Sequence, residues 1–224
     1  MKIKVLTLFP EMYAGFLTAS MVGKAIEIGA VEVEIIDIRD FATGKHKQAD
    51  DYPYGGNAGM VMKPEPIYSA INYALNNTLQ PVIYFTPHGR TLTQSILDEY
   101  HEVDNLVLLC GHYKEIDQRI RNVAVTDEIS IGDYVLSGGE LAAMVFIDGL
   151  TRLQPGVLNN MESADTDSFQ DGGLGHPQWT RPDTFLGMKV PDVLCSGNHK
   201  LIKQFQEQEA EKMTRIRRPD LISK

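Results

Sequence analysis

Ser130-Ile131-Gly132-Asp133-Tyr134-Val135-Leu136-Ser137-Gly138-Gly139-Glu140 separates a β-branched run from an Ala- and Met-containing segment, Glu140 to Leu153, that reads as a buried helix. A strand that ends in glycines and gives way to a helix leaves backbone amides and carbonyls at the sheet edge, where open α/β sheets take their ligands. Working outward, Ile3 to Leu8, Val31 to Ile36, Pro81 to Thr86, Asn105 to Cys110 and Val123 to Ile129 read as strands of a buried, mostly parallel sheet. Pro10 to Ile28, Pro64 to Asn76 and Thr93 to Tyr100 have helical spacing between them, with prolines suited to the first two starts. The fold class is α/β.

Three more glycine loops close strands or precede helices: Asp50 to Met62, Tyr84 to Arg90, and Cys110-Gly111-His112-Tyr113. Any one of them is explained by turn chemistry alone. Four together point to a shared pocket. No Gly-x-Gly-x-x-Gly follows the first strand, where Phe9-Pro10-Glu11-Met12 stands instead, and no Walker loop occurs, which argues against a Rossmann dinucleotide or Rossmann methyltransferase site.

The chain of 224 residues is 43% hydrophobic and 23% charged, with a formal charge of -9. That charge argues against indiscriminate coating of nucleic acid, although Lys45-His46-Lys47 and Lys200, Lys203, Lys212, Arg215, Arg217 and Arg218 form local basic clusters able to dock RNA. No apolar run nears the roughly 18 residues of a membrane span, and the N-terminal run is too short for a signal-peptide core, so a cytoplasmic protein with no membrane partner is expected. Cys110 and Cys195 are expected as free thiols. Cys195 and His199 alone do not make a metal site, which needs three or four ligands, and none is assigned.

From Gln154 to about Pro182 the sequence turns polar and glycine-rich. The expected organisation is a catalytic domain over 1–159, a flexible linker over 160–175 and a small helical domain over 176–224. His199 to Arg217 reads as a polar helix burying Leu201, Ile202, Phe205 and Met213. Asp167 in the linker has the least evident structural reason to be there, while Arg152 is accounted for by the favourable meeting of a cation with a helix C-terminus.

At these loops the chain resembles the bacterial tRNA (guanine-N1)-methyltransferases of the TrmD type, in the SPOUT class, over essentially its whole length. The resemblance rests on Leu8-Phe9-Pro10-Glu11-Met12, Asp51-x-Pro53-Tyr54-Gly55-Gly56, Gly59-Met60-Val61-Met62, Cys110-Gly111-His112-Tyr113, Ile131 to Leu141, Asp167-Ser168-Phe169, Thr180-Arg181-Pro182 and Arg217-Arg218-Pro219. It implies a mostly parallel sheet with a trefoil-knotted SPOUT catalytic domain plus a small C-terminal helical domain, and a homodimer whose active site lies at the subunit interface. The implied reaction moves the methyl group of S-adenosyl-L-methionine to N1 of guanine 37 in tRNA, 3′ of the anticodon.

Carried over by position, the resemblance implies that the donor meets Tyr84, Phe85, Thr86, Pro87, Gly111, Tyr113, Ile131, Gly132, Tyr134, Leu136, Gly138 and Gly139. It makes Asp167 the general base and Arg152 the group that stabilises charge on guanine O6. Tyr54, Gly55, Gly56, Gly59, Ser163 and Arg181 would hold the substrate. Assistance by Mg²⁺ is implied as well, with no motif identifying a ligand. The chain departs from the family pattern at Lys114-Glu115, where Glu-Gly is common, at Asn57-Ala58, where Gly-Pro is common, and at Gly175, where an Asp often stands. Competing readings are a non-catalytic RNA-binding module of the same fold, an enzyme acting on a nucleotide phosphate, and a methyltransferase for another RNA position.

Overall fold

The computed structural model describes residues 1–158, 167–170 and 172–222. Strands β1 (Lys2–Thr7), β2 (Glu32–Asp37), β5 (Val82–Thr91), β6 (Asn105–Cys110) and β8 (Asp127–Ser130) form one sheet in the order β2-β1-β6-β5-β8. Every neighbouring pair in it is parallel. A smaller sheet joins β3 (Asp50–Asp51), β4 (Val61–Met62) and β7 (Glu115–Ile116).

The central strands β5 (in its first half) and β6 read as nearly continuous apolar runs because both faces of the sheet are covered there, whereas the edge strand β2, Glu-Val-Glu-Ile-Ile-Asp, alternates and is only partly buried. Side chains alternate across it. Ile3, Val5, Ile83, Phe85, Leu106 and Leu108 join one core with α6 (Glu140–Arg152) and α4 (Gln94–Tyr100). Leu6, Val82, Tyr84, Val107 and Leu109 join a second core with α3 (Pro64–Leu75) and α5 (Gln118–Ala124). Phe146 of α6 meets Phe85 and Tyr100 edge-on, each at 5.7 Å between ring centres, and is fully buried. Full burial of such a side chain contributes about 1.5–3 kcal/mol.

Two sequence expectations are corrected. The helix expected over Pro10 to Ile28 is broken into a 3-10 turn, α1 (Ala14–Thr18) and α2 (Ser20–Glu27), because Ala19 is extended and Ser20 takes φ +54°. Gly23 then lies so close to Thr18 that a Cβ would stand 2.7 Å from its carbonyl carbon. The strand expected from Val123 starts only at Asp127, since Val123 and Ala124 finish α5, whose start is capped by Asp117 accepting from the Arg119 N–H.

The chain divides into two units, Met1–Asn159 and Asn160–Lys224. In the second, α7 (His199–Arg217) begins at Asn198, whose side chain accepts from the Leu201 N–H. Ile202, Phe205 and Met213 are partly buried, but Leu201 is exposed, contrary to expectation. The buried side chain of α7 is Thr214: its hydroxyl donates to the Ala210 carbonyl at 2.8 Å and accepts from the Leu174 N–H at 2.9 Å. The hairpin β9 (Thr184–Phe185) and β10 (Met188–Lys189) belongs to this unit.

Candidate active site

Three parallel strands of the first unit end side by side and each releases its chain into a glycine-bearing loop. After Phe85, β5 bulges before rejoining β8 at Arg90. Pro87, which has no N–H to give a ladder, sits in that bulge. Gly89 closes it against β8, where a Cβ would lie 2.4 Å from the Glu128 carbonyl carbon. β6 ends at Cys110, and Gly111 turns over the Tyr84 ring, with room for no side chain because Tyr84 Oη would be 2.7 Å from its Cβ. β8 ends at Ser130, whose hydroxyl holds both the N–H and the carbonyl of Gly132 at 3.2 Å.

The last loop runs back against the second. The Gly139 N–H donates to the Gly111 carbonyl at 2.8 Å, and His112 bridges to Gly138. A cleft results. All twelve residues expected around a methyl donor line it: Tyr84, Phe85, Thr86, Pro87, Gly111, Tyr113, Ile131, Gly132, Tyr134, Leu136, Gly138 and Gly139. His112, Lys114, Glu115, Ser130, Ser137 and Ala142 share its lining.

Charge in the cleft wall centres on Glu115. Its Oε1 accepts a short hydrogen bond from the Tyr84 hydroxyl, and Oε2 lies 3.6 Å from both His88 Nδ1 and Arg121. Arg121 is itself clamped to Glu128 at 2.6 Å and passes over the Tyr84 ring. Burial, then the Glu115 charge, pushes the Tyr84 phenol far above its ordinary range, so it remains a donor at any physiological pH. Beneath the floor, burial and the nearby Glu140 carboxylate raise the Cys110 thiol in the same way. Cys110 is fully buried beneath the cleft and held as a thiol, so it presents no nucleophile there.

The Tyr54 to Gly59 loop joins the edge of this cleft through the small sheet: Lys114 N–H donates to the Met60 carbonyl at 3.0 Å, and β4 pairs with β7. Gly55, Gly56 and Gly59 all have positive φ. The Lys114 stem crosses Gly59 where a Cβ would stand, 2.7 Å from its Cγ. Tyr54 is fully exposed. Arg152 lies exposed in the last turn of α6.

Asp167 and Arg181 belong to the second unit, and Ser163 falls outside the described residues. Asp167 lines a separate cleft there with Gly172 to His176 and α7. The loop that follows it is tied by Phe169 N–H to the Gly173 carbonyl and by Gly175 N–H to the Ser168 hydroxyl. Several cations of the C-terminal cluster face acids: Lys212 pairs with Glu209, Arg215 with Glu211 and Arg218 with Asp220. Among the described residues no three His, Cys, Asp or Glu side chains gather as a metal site, and no helix is long and apolar enough to cross a membrane.

Sequence reading passed over His112 and Glu140. Their signal was weak, since a lone His and a Glu at a helix start have ordinary structural uses.

A family model described as tRNA (Guanine-1)-methyltransferase TrmD matches residues 1–224. The chain is 52% identical to a tRNA (guanine-N(1)-)-methyltransferase of Geobacillus kaustophilus, over 99% of this chain and 91% of the relative. It is 51% identical to one of Anoxybacillus flavithermus over the same shares, and 49% identical to one of Clostridioides difficile over 100% of this chain and 98% of that protein.

Proposed function

Since this chain belongs to the tRNA (guanine-1)-methyltransferase family and is a methyltransferase, we propose that it transfers the methyl group of S-adenosyl-L-methionine to N1 of guanine 37 in tRNA. The observation that carries the donor assignment is the gathering of all twelve expected residues in one cleft at the ends of β5, β6 and β8. Where Gly111, Gly138 and Gly139 leave no room for a Cβ, main-chain amides and carbonyls come within reach of a planar base and a ribose. Glu115 supplies negative charge suited to a cationic sulfonium donor carrying an ammonium group.

In the proposed reaction the Asp167 carboxylate takes the N1 proton of guanine. The freed N1 lone pair forms the N–C bond as the C–S bond breaks, and the electron pair leaves on sulfur as S-adenosylhomocysteine. Arg152 offsets the negative charge that develops on guanine O6, an effect worth about 10²–10³ in rate for a well-placed donor. Base removal contributes about 10²–10⁴. N1 lies on the Watson–Crick edge, so the base must leave its stack, and the loop of Tyr54, Gly55, Gly56 and Gly59, with Ser163 and Arg181, is assigned to holding it.

The same reading makes the enzyme a cytoplasmic homodimer, each site completed by the partner subunit, with the 84–90, 110–113 and 130–139 loops threaded as a knot. Support for the dimer comes from Val135, Leu141 and Val145, which are exposed in the first unit. Support for the threading comes from the close run of Gly138 and Gly139 along Gly111 and His112. Assistance by Mg²⁺ belongs to the same reading, with no residue assigned to hold it.

The test supplies radiolabelled S-adenosyl-L-methionine with two tRNA transcripts, one carrying guanine and one adenine 3′ of the anticodon, to wild type and Asp167→Ala. Label in the guanine transcript alone, reduced about 10²–10⁴-fold by the substitution, is expected. Label in both transcripts would move the site of modification elsewhere in the RNA, and label in neither would favour a binding module.

A further inference from the structure

Glu140 is a carboxylate in the protein interior, with a side chain only 2% exposed, at the first turn of α6 and directly under the cleft. The helix N-terminus favours its negative charge. Its Oε1 accepts the Thr7 hydroxyl at 2.8 Å, and Thr7 in turn accepts the Phe9 N–H at 2.9 Å, which fixes the carboxylate to the end of β1. Its Oε2 looks at the His112 ring, 3.8 Å from Nδ1. That Nδ1 is buried and has no hydrogen-bond partner. The ring cannot simply turn away into solvent, because Phe9 packs at 4.7 Å on one side and Tyr113 meets it edge-on at 5.1 Å. Gly138 lies between the two groups: a Cβ there would stand 2.2 Å from Glu140 Oε2 and 2.4 Å from His112 Nδ1. The remaining titratable neighbours, Tyr13 and Cys110, are joined to each other at 3.4 Å, and both remain neutral.

We propose that Glu140 is a positioning residue that latches the cleft, accepting Nδ1–H of His112 through Oε2 and so pinning the Gly111-His112-Tyr113 loop to the start of α6 with Gly138 caught between. An unpaired buried nitrogen facing a buried carboxylate is costly, and a closure of about 1 Å brings the two to ordinary hydrogen-bond distance. The latch sets how near Gly111, Gly138 and Gly139 stand to one another, and those are the backbones offered to the donor. This role rests on the reading of the cleft as the donor site. It adds to it a pair of side chains, His112 in the wall and Glu140 beneath it, that tune donor affinity.

The experiment has two arms on the full-length protein. Side-chain ¹⁵N spectra of the free wild type should show His112 protonated at Nδ1, and a bare Nδ1 with the proton on Nε2 would overturn the latch. Calorimetry with S-adenosylhomocysteine then compares wild type, His112→Phe, which keeps the ring packing without a donor, and His112→Asn, whose amide nitrogen can stand where Nδ1 stood. Loss of about tenfold in affinity for His112→Phe with recovery in His112→Asn is expected, in line with one hydrogen bond to a charged group. Equal affinity for His112→Phe and wild type would overturn the proposal. Should the wild type take up no S-adenosylhomocysteine, the donor reading falls instead, and the ¹⁵N spectrum decides the latch by itself.

Discussion

Cys110 and Cys195 share a side chain and differ in everything that governs its reactivity. Cys195 is exposed, whereas Cys110 is buried and its thiol is raised by burial and by Glu140. Thiolate is the reactive form, so titration of the native protein with a thiol reagent at about pH 8 should modify Cys195 alone, and denaturation should release the second equivalent. The same burial has a consequence for alkaline stability. Cys110, Tyr13 and Tyr84 all have raised native values, chiefly from desolvation. Native protein then keeps protons that the unfolded chain gives up above about pH 8.5 for the thiol and 10 for the phenols. Their stabilising contribution is complete below those values and declines as pH rises, by up to about 1.4 kcal/mol per pH unit for each group. Urea unfolding at pH 8, 9.5 and 11 should show the midpoint falling most steeply over the last interval, and a midpoint constant to pH 11 would contradict this account.

Helix α6 carries the packing of the first core through Phe146, wedged between Phe85 and Tyr100. Phe146→Ala should cost about 3–5 kcal/mol, read as a lower urea midpoint at unchanged slope. Loop elements respond differently. Gly111→Ala pushes a methyl group at the Tyr84 hydroxyl, and donor affinity should fall more than stability does, which calorimetry and thermal melting separate. The strands β1, β2 and β6 were legible in the sequence to within about two residues, β6 as a continuous apolar run buried on both faces and β1 and β2 by charged residues alternating with β-branched ones. The Val123 start was misleading because β-branched Val123 and Val125 straddle the end of α5, an amphipathic helix that buries Ile120, and read there as the start of a strand. Nothing in the local pattern foretold the break at Ser20, where a non-glycine residue takes a positive φ, or the two-residue strands β4 and β7, which pair across more than fifty residues of chain. The cleft itself was legible, as each glycine loop announces a strand end. The Thr7, His112 and Glu140 cluster was not, because its members come from three separated segments.

At the scale of the molecule, the proposed dimer makes a direct demand on the exposed apolar residues of α6. Leu141 and Val145 stand one turn apart and are about half exposed, at 49% and 50%. Val145→Asp should therefore shift sedimentation from dimer to monomer and abolish methyl transfer while leaving the fold intact by circular dichroism, and a fully active monomer would refute the shared site. Of the basic residues along α7, Lys203, Lys212 and Arg215 answer Glu207, Glu209 and Glu211 on the same helix, and Arg218 answers Asp220 just past its end. The walls of the cleft have one more implication, for inhibitor design. At Gly111, Gly132 and Gly138 any added side-chain atom would collide within 2.7 Å of a neighbour, and at Gly139 within 3.0 Å. A microbe escaping a drug ordinarily swaps a side chain at the binding surface, but these four positions have no side chain to exchange and little room to gain one. On the proposed donor reading, a compound gripped chiefly by those four backbones would face resistance at its contact points only through changes that also disturb donor binding.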